Sequence, residues 1–117
     1  MSNFTPLVNK EYEYDGDNIS ITFSRLLRKD MLNVLPAFLK LNKAEEGSEE
    51  YGEAVNEVLN NIADVLPGYV KEMSGLNDTE GNPIGIETVV NEMYFMRLCS
   101  LIALDVISES GVPGGKA

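Results

Sequence analysis

The side chains best placed to do chemistry in this 117-residue chain are carboxylates. Glu45, Glu46, Glu49, Glu50, Glu53 and Glu57 recur three and four apart, so on a helix they share a face, the arrangement in which carboxylates can hold Mg²⁺. One known paired-helix magnesium template places Glu-x-x-Glu on one helix and Glu-x-x-Asp on a second. Glu50-x-x-Glu53 supplies the first half, but no Glu-x-x-Asp occurs anywhere in the chain. Carboxylate di-iron sites need Glu-x-x-His, and the chain has no histidine. The acidic run therefore reads as a solvated helix face. Asp78-Thr79-Glu80-Gly81 followed by Glu87 has the look of a calcium loop. In that register Leu76 takes the first ligand position and Pro83 the apolar eighth, so the segment reads as a turn.

The missing histidine also removes Ser-His-Asp triads, His-ligated zinc and imidazole proton shuttles. A single cysteine, Cys99, cannot form an intrachain disulfide or a thiolate cage. It sits in the most apolar segment and reads as an inert core residue. Acid–base chemistry would have to run on carboxylates, Lys and Tyr alone, so no enzyme activity, metal or cofactor is expected. Arg25, Arg28 and Lys29 form the only basic cluster; without aromatic interleaving it makes a weak phosphate site, and it reads as meeting the acidic half of a neighbouring subunit or of its own chain, or as simply solvated. Acids outnumber bases 19 to 9, giving a net charge of −10. Such a surface disfavours nucleic acid, which is gripped by Lys and Arg.

The charge is uneven. Residues 1–44 carry six bases and five acids, a balance of +1, while residues 45–117 carry three bases and fourteen acids, a balance of −11. No apolar stretch is long enough to span a bilayer, and Met1-Ser2-Asn3-Phe4 has neither half of a secretory signal, so a soluble protein in a reducing cytoplasm is expected.

These side chains need elements to position them. Residues 10–23 alternate β-branched or aromatic with polar residues around Asp15-Gly16, predicting a β-hairpin with Tyr12, Tyr14, Ile19, Ile21 and Phe23 on its apolar face. Arg28 to Leu41 has helical spacing, with Pro36 predicting a kink or a break. Tyr51 to Leu66 is the clearest amphipathic helix, with Ser48 as its N-cap. After Pro67-Gly68, Tyr69 to Met73 suits one or two further helical turns. Residues 75–85 are turn-rich, with a small hairpin apex near Glu80-Gly81-Asn82. Ile86 to Ser108 reads as one long helix, apolar around most of its circumference, and so either the buried centre of a bundle or an oligomer interface. The Met93-Tyr94-Phe95-Met96 run within it reads as core, although Met-rich surfaces also hold varied partners. The expected fold is α+β and predominantly α, an N-terminal β-hairpin packed on a small bundle of three to five helices. One domain spans residues 1–109, followed by a flexible tail at 110–117.

The strand region Tyr12-Glu-Tyr-Asp-Gly-Asp-Asn-Ile-Ser-Ile-Thr-Phe leads through Arg25-Leu-Leu-Arg-Lys-Asp-Met-Leu into a helix, and helices fill the remainder. This order of features resembles the tail assembly chaperones of long-tailed bacteriophages. The match is densest over residues 11–41. The resemblance implies a non-enzymatic protein, encoded just before the tape measure protein, that binds it and keeps it soluble in the host cytoplasm while the tail tube assembles. In that family a longer product often arises by ribosomal frameshifting, and Gly115-Lys116 is compatible with a slippery codon pair. No functional residue carries over position by position. The apolar stripe crossing the Pro-Gly break, Ile62, Leu66, Tyr69, Val70 and Met73, is the expected partner-binding surface. Two other readings use the same acidity or context: an inhibitory DNA mimic that fills a basic groove on a host protein, and a structural tail or connector subunit.

Overall fold

The computed structural model describes residues 6–110. The expected flexible tail, Ser110 excepted, and the Gly115-Lys116 pair lie outside them. Leu7–Tyr14 forms β1 and Asp17–Ser24 forms β2, paired antiparallel with Tyr14 opposite Asp17 and Val8 opposite Phe23. The two residues between them, Asp15 and Gly16, both have positive φ, 55° and 86°. That backbone twist matches the twist of the strands, and Asp-Gly tolerates it. One face of the hairpin presents Tyr12, Tyr14, Ile19, Ile21 and Phe23 as expected, and all but the half-buried Tyr12 are buried. The other face is polar, where the Asn9 amide donates to Ser20 Oγ at 3.1 Å and to Thr22 Oγ1 at 2.9 Å.

Helix α1 spans Arg28–Lys43 and α2 spans Glu49–Ile62. Each buries one stripe against the other: Val34, Ala37, Phe38 and Leu41 on α1, Ala54, Val58 and Ile62 on α2. Ser48 is the N-cap of α2, its Oγ accepting from the Tyr51 N–H at 3.1 Å. Pro36 does not break α1, which runs through it as one helix. Pro36 is exposed, so the carbonyl it leaves unpartnered on Leu32 stands on the solvent side of the helix, where water can satisfy it.

The sequence expectation fails at two places, both for reasons of phase. Residues Leu66–Tyr69 make a single helical turn, α3, but Val70–Ser74 is a strand, β3, rather than helix. It pairs antiparallel with β2, so the sheet order is β1-β2-β3. Val70 lies opposite Phe23 and Met73 opposite Ile21, with the register shifting by one residue between Thr22 and Phe23. That bulge lets Val70 and Met73 share the inner face although they are three residues apart, a spacing that imitates a helix.

The long C-terminal helix is also divided, into α4 (Ile86–Asn91), a 3₁₀ turn (Met93–Phe95) and α5 (Met96–Glu109). In α5 the buried pairs are Leu98/Cys99, Ile102/Ala103 and Val106/Ile107. Continued backwards at 100° per residue, that stripe would bury Thr88, Asn91 and Glu92. Breaking the helix at Glu92, whose backbone is extended, leaves Thr88, Asn91 and Glu92 exposed while Val89 and Phe95 stay buried. Between β3 and α4, Asn77 bridges Pro83 around Gly81, so the expected small hairpin is present.

The molecule measures 45 × 43 × 22 Å. The hairpin is tied to α5 and to the 3₁₀ turn before it by polar contacts. The Tyr12 hydroxyl donates to Asp105 at 2.6 Å, the Tyr14 hydroxyl to the Tyr94 carbonyl at 2.7 Å, and Lys10 pairs with Glu109 at 2.9 Å.

Candidate protein-binding surface

The carboxylates singled out by spacing do not converge. Glu49, Glu50 and Glu53 are exposed on α2, and the half-buried Glu57 pairs with Lys40 of α1 at 2.9 Å. No group of three or more metal-ligating side chains comes together among the described residues. In the turn, Asp78 Oδ1 accepts from the Glu80 and Asn82 N–H groups at 2.8 and 2.9 Å. These bonds, the one from Asn82 first, hold its carboxyl below the usual aspartate value. Its lone pairs close a turn. Cys99 is buried, and burial raises its thiol pKa, away from the thiolate form a nucleophile needs.

The five residues expected to bind a partner are brought together, but inward. Ile62, Leu66, Tyr69 and Val70 are buried, and Met73 is partly covered beside them. Tyr69 explains why: its hydroxyl accepts from the Leu27 N–H at 3.0 Å and donates to the Asp30 carboxylate, clamping the first turn of α1. Burial, then the Asp30 bond, raises the pKa of that hydroxyl. This stripe is core between α2, α3 and the sheet, so it corrects the expectation of an open surface there.

The basic cluster divides as well. Arg25 Nε donates to the Glu109 carbonyl at 2.9 Å, a cation at the C-terminal end of α5, where the helix dipole favours it. Arg28 and Lys29 are exposed on α1.

Among the described residues, the exposed large apolar side chains other than Leu7 of β1 lie in two places. The first is the break before α5, where Met93 is 80% exposed and Tyr94 66%, with Met96 and Leu101 beyond them. Tyr94 stands edge-on to Phe95, ring centres 5.0 Å apart, and its hydroxyl reaches Asp15 at 2.7 Å. Arg97 lies 5.4 Å from the centre of the Tyr14 ring. The Met93 to Met96 run is thus only partly core: Phe95 is buried and its three neighbours face out. The second place is the outer face of α1, with Leu27, Leu32 and Leu39 exposed. Sequence reasoning overlooked it, although Leu32, Leu35 and Leu39 are a second leucine series offset from the buried one. Comparison with protein-family models, with curated proteins and with solved structures finds no match to this chain.

Proposed function

We propose that this chain is a non-catalytic holding protein of the tail assembly chaperone type, which binds the tape measure protein and keeps it soluble in the host cytoplasm during tail assembly. The observation that carries the reading is the pairing of exposed apolar side chains on two faces with a net charge of −10. A protein that holds an aggregation-prone helical partner needs apolar surface to engage it and like charge to keep the complex dispersed. The resemblance over residues 11–41 supplies the particular partner.

Two measurements test it. The nucleotide sequence around codons 114–117 should contain a slippery heptamer with an overlapping frame, followed by a long helical reading frame. Co-expression with the protein of that frame should move it from the pellet to the soluble fraction, and a partner that stays in the pellet defeats the proposal. The acidic-mimic reading draws on the exposed Glu49, Glu50 and Glu53 of α2. It requires binding to a basic partner that collapses with salt, whereas binding led by apolar contact survives it.

A further inference from the structure

The outer face of α1 has the more specific chemistry of the two open surfaces. Leu32, Leu35, Pro36 and Leu39 follow the i, i+3, i+4, i+7 spacing of a helix contact stripe, on the side opposite the buried Val34, Ala37, Phe38 and Leu41. Leu32 is 60% exposed and Leu39 44%. Arg28 stands four residues before Leu32 and Lys43 four after Leu39, so a cation closes each end of a stripe ~22 Å long. Lys29 and Lys40 lie along one side. Four cations and one acid, Asp30, therefore share this helix in a chain of net charge −10. Asp30 is turned to Tyr69. Lys29 lies 3.4 Å from Asp30 and Lys40 is paired with Glu57, while Arg28 and Lys43 have no ion pair among the described residues.

We infer that the outer face of α1 docks an amphipathic helix of the partner protein whose apolar stripe is flanked by Asp or Glu. The inference rests on the holding function proposed above and commits it to one face. Leucines at helical spacing accept side chains of a second helix at the same spacing. The cations at the ends and along one side attract acidic flanks, while the negative charge of the remaining surface repels them elsewhere, so encounter is focused here. The Met93 surface has the opposite character. It is bordered by Glu92, Asp15 and Asp17, with Arg97 as its nearby cation.

The test uses two synthetic helical peptides of about five turns with the same leucine stripe, one flanked by Glu and one by Lys, titrated into the isotopically labelled full chain. The Glu peptide is expected to shift the amide resonances of residues 28–43 and to bind at least about tenfold more tightly than the Lys peptide, less so as salt rises. Leu32→Ser with Leu39→Ser should weaken it at least about tenfold with the circular dichroism unchanged. Arg28→Glu with Lys43→Glu should invert the preference between peptides, and Met93→Ser with Leu101→Ser should leave it intact. Equal binding of the two peptides, or shifts centred on residues 93–101, overturns the inference. So does self-association in sedimentation that Leu32→Ser with Leu39→Ser abolishes, which would make a second copy the occupant, or an equal loss of binding to anionic phospholipid vesicles, which would make it a lipid surface. In co-expression, a doubly substituted chain that still solubilises the tape measure protein sinks this surface alone, and a wild-type chain that fails to do so sinks the function.

Discussion

Tyr12 ties the first strand to the last helix through one hydroxyl, and the partner it chose, Asp105, is half-buried. Tyr12→Phe removes the donor and leaves that carboxylate short of a partner, so a loss of about 1–2 kcal/mol is expected in urea unfolding. The bond also has a pH signature. Burial, then the Asp105 bond, raises the Tyr12 pKa above the usual tyrosine value, and Tyr69 is raised the same way by burial and Asp30. The unfolded chain releases these protons from about pH 10, whereas the folded chain holds them longer. The stabilisation is thus complete below that pH and declines as pH rises above it. Alkaline unfolding of Tyr12→Phe should be less steep than that of the wild type. Gly75 gives a second prediction at this scale. Its φ is +97°, and a Cβ there would lie 2.1 Å from the Asn18 carbonyl oxygen, with nothing flexible to yield. Gly75→Ala should lower stability by at least ~2 kcal/mol, measured as the shift in unfolding midpoint. Gly16, with φ +86° and open space around it, should cost about 1 kcal/mol for the same change.

Among the elements, α1 carries an avoidable defect. Pro36 interrupts the hydrogen-bond ladder of an otherwise continuous helix and packs on nothing buried. Pro36→Ala should raise stability by roughly 1–3 kcal/mol, read by thermal unfolding, and, because the proline ring belongs to the docking stripe, should lower peptide affinity. The hairpin, its apolar face, the Ser48 cap and the two amphipathic helices were legible because each obeys one period from end to end. β3 and the α4–α5 break were not. At β3 a bulge turned a strand's alternation into the three-residue interval of Val70 and Met73. At Glu92 no proline or glycine marks the break, and only the phase of the buried pairs in α5, carried back to Thr88 and Asn91, betrays it. The misplaced binding stripe has the same origin: Ile62, Leu66, Tyr69, Val70 and Met73 looked like one helical face crossing a loop, and three different elements fold them into the core. The open leucines of α1 were missed because a helix was expected to have one apolar face and this one has two.

At the scale of the whole molecule, 19 acids against 9 bases on a body 22 Å thick means that most carboxylates feel one another through little protein and much water. The ion pairs found among the described residues lie at the surface, where each contributes little. Repulsion therefore outweighs attraction, and raising ionic strength from about 0.01 to about 0.3 M, which shortens the screening length from ~30 to ~6 Å, should raise the melting temperature. A fall would show that ion pairing matters more than the net charge. The attachments of the hairpin have a further consequence, which concerns synthesis rather than stability. Tyr12 waits for Asp105, Tyr14 for Tyr94, Lys10 for Glu109, and the Leu26 N–H for Ser110. At ~5–20 residues per second the ribosome finishes the hairpin several seconds before it delivers α5. Through that interval Ile19, Ile21 and Phe23 have no last helix to close over them. The nascent chain is then itself an unprotected apolar sheet, and a stall before residue 105 should send it to the general chaperones of the cell that makes it.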